Sequence, residues 1–145
     1  MTGIAGNTVS TIISSMRYYA TLTAIEWLYR AFGFEKMLFV PGENGAIAHA
    51  QLVFGSGIIM LGSANDNQFG KFVEPPREVG GVDTQSAYII VQGANAYYAR
   101  AAATGAEIII AIKAADYGGR GYLCRDPGGQ AWNFNTYDLW AQEHA

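Results

Sequence analysis

The sequence predicts an α+β domain made of two tandem βαβββ modules, and three observations carry that expectation. The order strand, helix, three strands can be read twice along the 145 residues. The two copies share one register: an offset of 73 residues lays Ile13 over Ser86, the Gly55-Ser56 turn over Gly128-Gly129, and Met60 over Asn133. Between them, residues 64–84 hold Asn65-Asp66-Asn67, Pro75-Pro76 and Gly80-Gly81 without a sustained hydrophobic period, the composition of a linker. Module one therefore spans 9–63, module two 85–137, and residues 138–145 form a C-terminal tail.

The elements follow in order. Val9 to Tyr18 reads as a strand from its length and β-branched content. Thr23 and Glu26 have the spacing of a capping box, with Leu22 and Trp27 as a hydrophobic staple. Leu22, Ile25, Leu28 and Phe32 repeat at helical spacing, and Gly33 is the stop. Phe34 to Val40 is a strand; Ala46 to Phe54, the turn at Gly55-Ser56-Gly57, and Ile58 to Leu61 make a hairpin. In the second module Ser86 to Gln92 is a strand, and Asn95 caps a helix that runs to Thr104 and stops at Gly105. Glu107 to Lys113 is the next strand. Arg120 to Arg125, Asp126-Pro127-Gly128-Gly129 and Gln130 to Tyr137 form the second hairpin. The two helix stops, Gly33 and Gly105, miss the common offset by one residue.

Composition narrows the function. Half of the residues are apolar and 13% aromatic, which is the balance of a folded core. Only 14% are charged, against roughly 25% in an average soluble domain, and this predicts a surface partly hidden in a homodimer. The net charge is −3 with nine scattered Lys and Arg, so nucleic-acid binding lacks its electrostatic footprint. The single cysteine, Cys124, excludes an intrachain disulfide and fits a reducing compartment. Residues 1–8 lack the pattern of a signal peptide, and no apolar run is long enough for a membrane helix. A cytoplasmic protein that binds no membrane is expected.

Three segments resemble the vicinal oxygen chelate superfamily, the group of glyoxalases, bleomycin resistance proteins and extradiol dioxygenases. They are Ala24 to Glu35, His49-Ala50-Gln51-Leu52, and above all Tyr117-Gly118-Gly119-Arg120 through Arg125-Asp126-Pro127-Gly128-Gly129-Gln130-Ala131-Trp132. With the repeat, the resemblance covers nearly the whole chain. It implies two modules whose curved mixed sheets surround a cavity, usually in a dimer. It also implies four metal-ligand positions, one in the first and one in the last strand of each module, filled in metal-dependent members by His, Glu or Gln. Here those positions are Ile13, Met60, Ser86 and Asn133. Ile and Met offer a hard metal no donor, Ser and Asn are weak ones, and the chain has only two histidines, His49 and His144. No metal and no other cofactor is expected.

Strand alternation then sorts the cavity face from the helix face. Ile13, Met60, Ser86 and Asn133 share their parity with Thr11, Ser15, Arg17, Ile58, Tyr88, Ile90, Ala131 and Asn135. The alternates Ala87, Ile89, Val91, Trp132 and Phe134 are apolar and suit packing under helices. Superfamily spacing adds Leu123 to the cavity side and sends Tyr122 to the other face, unless a different bulge at Gly128-Gly129 reverses them. The offset lays His49 over Tyr122, on the helix face, where a hydrogen-bonded structural role is expected; Cys124 shares that parity as a core residue. The expected ligand site is Ile13, Ser15, Arg17, Met60, Ser86, Tyr88, Leu123, Asn133 and Asn135, apolar with a few polar points, as suits a small organic molecule. The leading expectation is a metal-free binding protein that sequesters an aromatic or amphipathic ligand. The rivals are a metal-independent lyase or isomerase using Tyr88 or His49, and a structural dimer without a ligand.

Overall fold

A computed structural model describes residues 3, 6–65 and 67–141; His144 lies outside them. Strand β1 (Ser14–Tyr18), helix α1 (Thr21–Phe32) and strands β2 (Glu35–Pro41), β3 (Ile47–Phe54) and β4 (Gly57–Ser63) are followed by β5 (Ala87–Ile90), α2 (Ala94–Ala103), β6 (Glu107–Ala114), β7 (Arg120–Arg125) and β8 (Ala131–Asn135). Each βαβββ run makes its own mixed sheet, ordered β1-β4-β3-β2 and β5-β8-β7-β6. In both, the first strand runs parallel to the last and the remaining pairs are antiparallel. Both sheets are open, four strands each, so neither closes a cavity by itself.

Helix α1 buries Ala24, Ile25, Trp27, Leu28, Ala31 and Phe32 along one stripe. Its stop is the expected one: Gly33 is left-handed at φ +87° and its N–H donates to the carbonyls of Leu28 and Tyr29. Its start is not. The helix begins at Thr21 behind Ala20 with no side-chain cap, so the capping box at Thr23 and Glu26 does not form. Thr21 Oγ1 instead donates to the Tyr18 carbonyl and lies 2.8 Å from Ser63 Oγ, which also accepts the Ile47 N–H. A tertiary polar contact between the ends of β1, β3 and β4 thus sets the helix start three residues early. Leu22 is left half-exposed and staples nothing. Asn95 likewise caps no helix: the cap of α2 is Gly93, left-handed at φ +69°, while Asn95 Oδ1 accepts from Arg120 Nε. The first strand is shorter than expected because residues 9–13 lie exposed before it.

The core lies on the helix side of both sheets and is aromatic. The Phe32 ring meets Trp132 at 5.5 Å and Phe134 at 4.7 Å, and Phe34 meets Trp132 at 5.6 Å. Since Trp132 and Phe134 belong to β8, the end of α1 packs into the second module, and the halves share one core. Fully burying side chains of this size stabilises by roughly 1.5–3 kcal/mol each.

A buried carboxylate ties the same halves together. Asp126, in the β7–β8 turn, accepts from Tyr18 Oη at 2.5 Å and Trp132 Nε1 at 3.0 Å on one oxygen, and from the Gly128 and Gln130 N–H groups on the other. Gln130 adds a bond from its side-chain nitrogen to the Arg17 carbonyl. The turn fits only because residue 128 is glycine: a Cβ there would stand 2.4 Å from the Tyr18 ring. Burial outweighs these four donors and holds the Asp126 carboxyl above its usual 3.8. The folded chain therefore keeps this proton longer than the unfolded chain, and stability falls as pH rises from 3.8 through the folded value. Urea midpoints measured across that window should decline for the wild type. The slope should shrink in Asp126→Asn without vanishing, because burial raises Asp83 too. An unchanged slope in the variant would contradict the assignment.

Candidate functional site

Pairing assigns the two faces of each sheet. In the first, Met16, Ala50, Leu52, Ile59 and Leu61 are buried beneath α1. The other face carries Ser15, Met60 and Gln51 as one cross-strand row. In the second, Ala87, Trp132 and Cys124 form one row and Ile89, Phe134 and Tyr122 the next, both toward the helices. Tyr88, Asn133 and Leu123 form a row on the opposite, open face. Tyr88 and Asn133, 45 positions apart in sequence, are Cα partners, and so are Ser15 and Met60, one module earlier at the same offset.

The remaining positions are less concentrated. Ile13 and Ser86 precede β1 and β5 by one residue and are exposed. Arg17 is 8% exposed and folds back over Gly62, donating to the Ser63 carbonyl at 2.6 Å. Burial lowers its pKa, opposed by Glu74. Asn135, 2% exposed, has its side chain engaged on both ends: Nδ2 donates to Tyr117 Oη at 3.0 Å, and Oδ1 accepts the Tyr137 N–H at 2.8 Å. Gly119 and Gly121 are required beside it, since a Cβ on either would come within 2.6 Å of the Asn135 amide.

His49 lies on the open face, not the helix face. Ala50 pairs with Leu61 and Gln51 with Met60, whereas Tyr122 pairs with Phe134 and Leu123 with Asn133. Strands β3 and β7 thus correspond at an offset of 72, while β4 and β8 keep 73. The additional residue sits in the second hairpin, where five residues separate Arg125 from its partner Ala131 and four separate Val53 from Ile58. On that face His49 Nε2 lies 2.9 Å from Gln51 Oε1. Tyr122 keeps the helix-side place implied by the superfamily spacing, stacked on Phe134 at 5.3 Å, and burial pushes its hydroxyl pKa up. Cys124 is buried beside it, its thiol pushed up to about 12.

Two further tyrosines complete the second sheet's open face. Tyr88 Oη donates to the Tyr137 carbonyl at 3.0 Å. Tyr117, 57% exposed in the β6–β7 loop, meets Tyr137 edge to face at 5.1 Å. Burial, then the proximity of Tyr117, Tyr137 and Asp138, pushes the Tyr88 hydroxyl up to about 12, so it stays protonated as a donor. The sequence held a signal for Tyr137, which continues the parity of Asn133 and Asn135. Tyr117 carried none beyond its place in a glycine-rich loop.

None of the four positions is His, Cys, Asp or Glu: Met60 lies on the open face of the first sheet, Asn133 on that of the second, and Ile13 and Ser86 one residue before β1 and β5; no three His, Cys, Asp or Glu residues converge among the described residues. Two surface cavities lie elsewhere. One of about 330 Å³ is lined by Tyr18, Thr23, Arg77 and Gly128, and one of about 220 Å³ by Ile25, Tyr29, Phe34 and Leu52. No described helix is long and apolar enough to cross a membrane.

Two open sheets of βαβββ topology, each with an apolar helix face and a mixed polar face, define the class. No family model matches the chain. It is 27% identical over 111 residues to the uncharacterized protein Mb0911c of Mycobacterium bovis, covering 77% of this chain and 72% of that one. It is as similar to Rv0887c of Mycobacterium tuberculosis, of which it spans 65%. Among solved structures it is similar to TioX from Micromonospora sp. ML1, with a TM-score of 0.66 and 28% identity over 87% of this chain and 97% of that one. A glyoxalase/bleomycin resistance protein from Streptomyces sp. CB03234 gives 0.63 at 17% identity, covering 87% and 99%. The fosfomycin resistance protein FosX from Listeria monocytogenes, complexed with Mn(II) and a dihydroxypropylphosphonic acid, gives 0.64 at 14% identity, covering 90% of each chain. The chain has the fold of the glyoxalase/bleomycin resistance, or vicinal oxygen chelate, superfamily.

Because Asn135 fastens the β6–β7 loop to the end of β8, Asn135→Ala should release that loop. Amide hydrogen exchange at residues 115–119 should accelerate, with a loss of about 1–3 kcal/mol for the broken polar contacts. Unchanged protection there would show that the glycines alone hold the loop.

Proposed function

We propose that the protein binds a planar aromatic or amphipathic small molecule on the open face of the second sheet, without a metal and without making or breaking a bond. The observation that carries this reading is the row Tyr88, Asn133 and Leu123 with Tyr117 and Tyr137 at its end. Tyr88 and Tyr117 supply aromatic surface, Leu123 an apolar floor, and the Asn133 amide a donor and an acceptor. Ser15 and Met60 occupy the corresponding row of the first module. The metal-free reading rests on Ile13 and Met60, which leave two of the four inherited ligand positions without a donor. A single buried cysteine suits the cytoplasm. A second reading, a metal-independent lyase or isomerase, draws on one observation: His49 shares the open face with Gln51, whose carboxamide can orient it as a base.

Benzimidazole, a planar bicycle with one N–H donor and one acceptor, is a suitable probe in the range of about 10 mM expected for so small a ligand. Its titration should shift the amide signals of Tyr88 and Asn133. Tyr88→Ala and Asn133→Ala should each weaken binding by roughly 1–3 kcal/mol, and prior dialysis against EDTA should change nothing. Unaltered affinity in both variants refutes the site, and a loss of binding after EDTA refutes the metal-free reading.

We propose that the chain pairs with a second copy through the edge strands β2 and β6, where Met37, Leu38, Phe39, Val40, Ile109 and Ile110 are all exposed. Sedimentation at low micromolar concentration should give twice the 15.6 kDa chain mass. A monomer would contradict the proposal.

A further inference from the structure

The chain leaves the second sheet through Tyr137, and its next large side chains are exposed, Trp140 by far the most of the three tryptophans. Leu139 is 52% exposed and Trp140 91%, whereas Trp27 and Trp132 are 4% and 0% exposed. The root of this segment is fixed by the site: the Tyr137 N–H donates to Asn135 Oδ1 and its carbonyl accepts from Tyr88 Oη. Beyond the root, the hydrogen bonds among the described residues are internal. The Trp140 N–H reaches Asp138 Oδ1 at 2.9 Å and the Ala141 N–H the Asp138 carbonyl at 3.2 Å. Trp140 lies three positions beyond Tyr137, a reach of about 10 Å when extended. An indole on such a tether can come down over Tyr117 and the Tyr88–Asn133 row by breaking only the short Asp138 turn.

We propose that Leu139–Trp140 is a strap that closes over the ligand and stacks the Trp140 indole on its exposed plane, opposite the tyrosines of the sheet. The proposal rests on the small-molecule reading of this face and adds to it a residue that selects for flat, aromatic ligands. Apolar surface left in water at the edge of an aromatic floor gains most from a planar partner that offers two faces. The bound molecule would lie between Trp140 above and Tyr88 and Tyr117 below.

The spectroscopy is favourable, because Trp140 is the exposed indole and the other two tryptophans are buried. Benzimidazole added to the full chain should shift the Trp140 indole N–H signal together with the Tyr88 and Asn133 amides and move the tryptophan emission to the blue. Trp140→Ala should weaken binding about tenfold, the loss expected for one aromatic stack, and still shift the Tyr88 and Asn133 amides. Trp140→Phe should recover part of it. If those amides shift while the indole does not and Trp140→Ala binds as the wild type does, the strap is overturned and the site stands. If nothing shifts, the site itself fails and the strap with it. If the indole signal changes on dilution of the protein without probe, a second copy covers Trp140 and the strap is overturned.

Discussion

The structure depends on one buried carboxylate. Asp126 sits where the β7–β8 turn meets the end of β1, and its four donors come from both modules: Tyr18 from the first, Trp132 and two backbone N–H groups from the second. A carboxyl group enclosed this far from water is stable only when its lone pairs are filled, so the contact dictates its surroundings. It requires a tyrosine at the end of β1, a glycine at 128 to let that ring approach, and an indole N–H two positions into the next strand. These four residues fix how the first module lies against the second, and the aromatic cluster of Phe32, Phe34, Trp132 and Phe134 fills the space between them.

With one face of each sheet committed to that core, alternation leaves the opposite face free to diverge. The second sheet has put polar and aromatic groups there and used several to build rather than to bind. Asn135 holds Tyr117 and Tyr137, and Tyr88 holds the chain as it leaves β8. What remains uncommitted is the Asn133 amide, the exposed surface of Tyr117, and the floor at Leu123. Ile13 and Met60 carry no donor for a hard metal, and the proposed recognition by shape and hydrogen bonding rests on that.

Much of this was legible in the sequence because two periodicities are written there. The period of two along each strand separated Trp132 and Phe134 from Asn133 and Asn135, and, with the ligand positions the superfamily resemblance implies, put Tyr88 on the same side as Asn133. Three features were hidden for physical reasons. The start of α1 is set by Ser63, which is distant in sequence, and local capping rules do not see it. The face of His49 was reversed because the second hairpin turn, stretched to hold Asp126, contains one more residue than the first, and an offset fitted to β4 and β8 misplaces β3 by one. Tyr117 belongs to a loop whose path is decided by the Asn135 amide and two glycines with no room for a side chain. No strand period reaches it.

A crystal structure of the protein purified from its host without added ligand would test the central claim most directly. Binding at the open face predicts a flat feature of density in contact with Tyr88, Tyr117 and the Asn133 amide, with no metal on that face. Side chains of the same chain or of a second copy packed tightly onto that row, with no space between them, would contradict it.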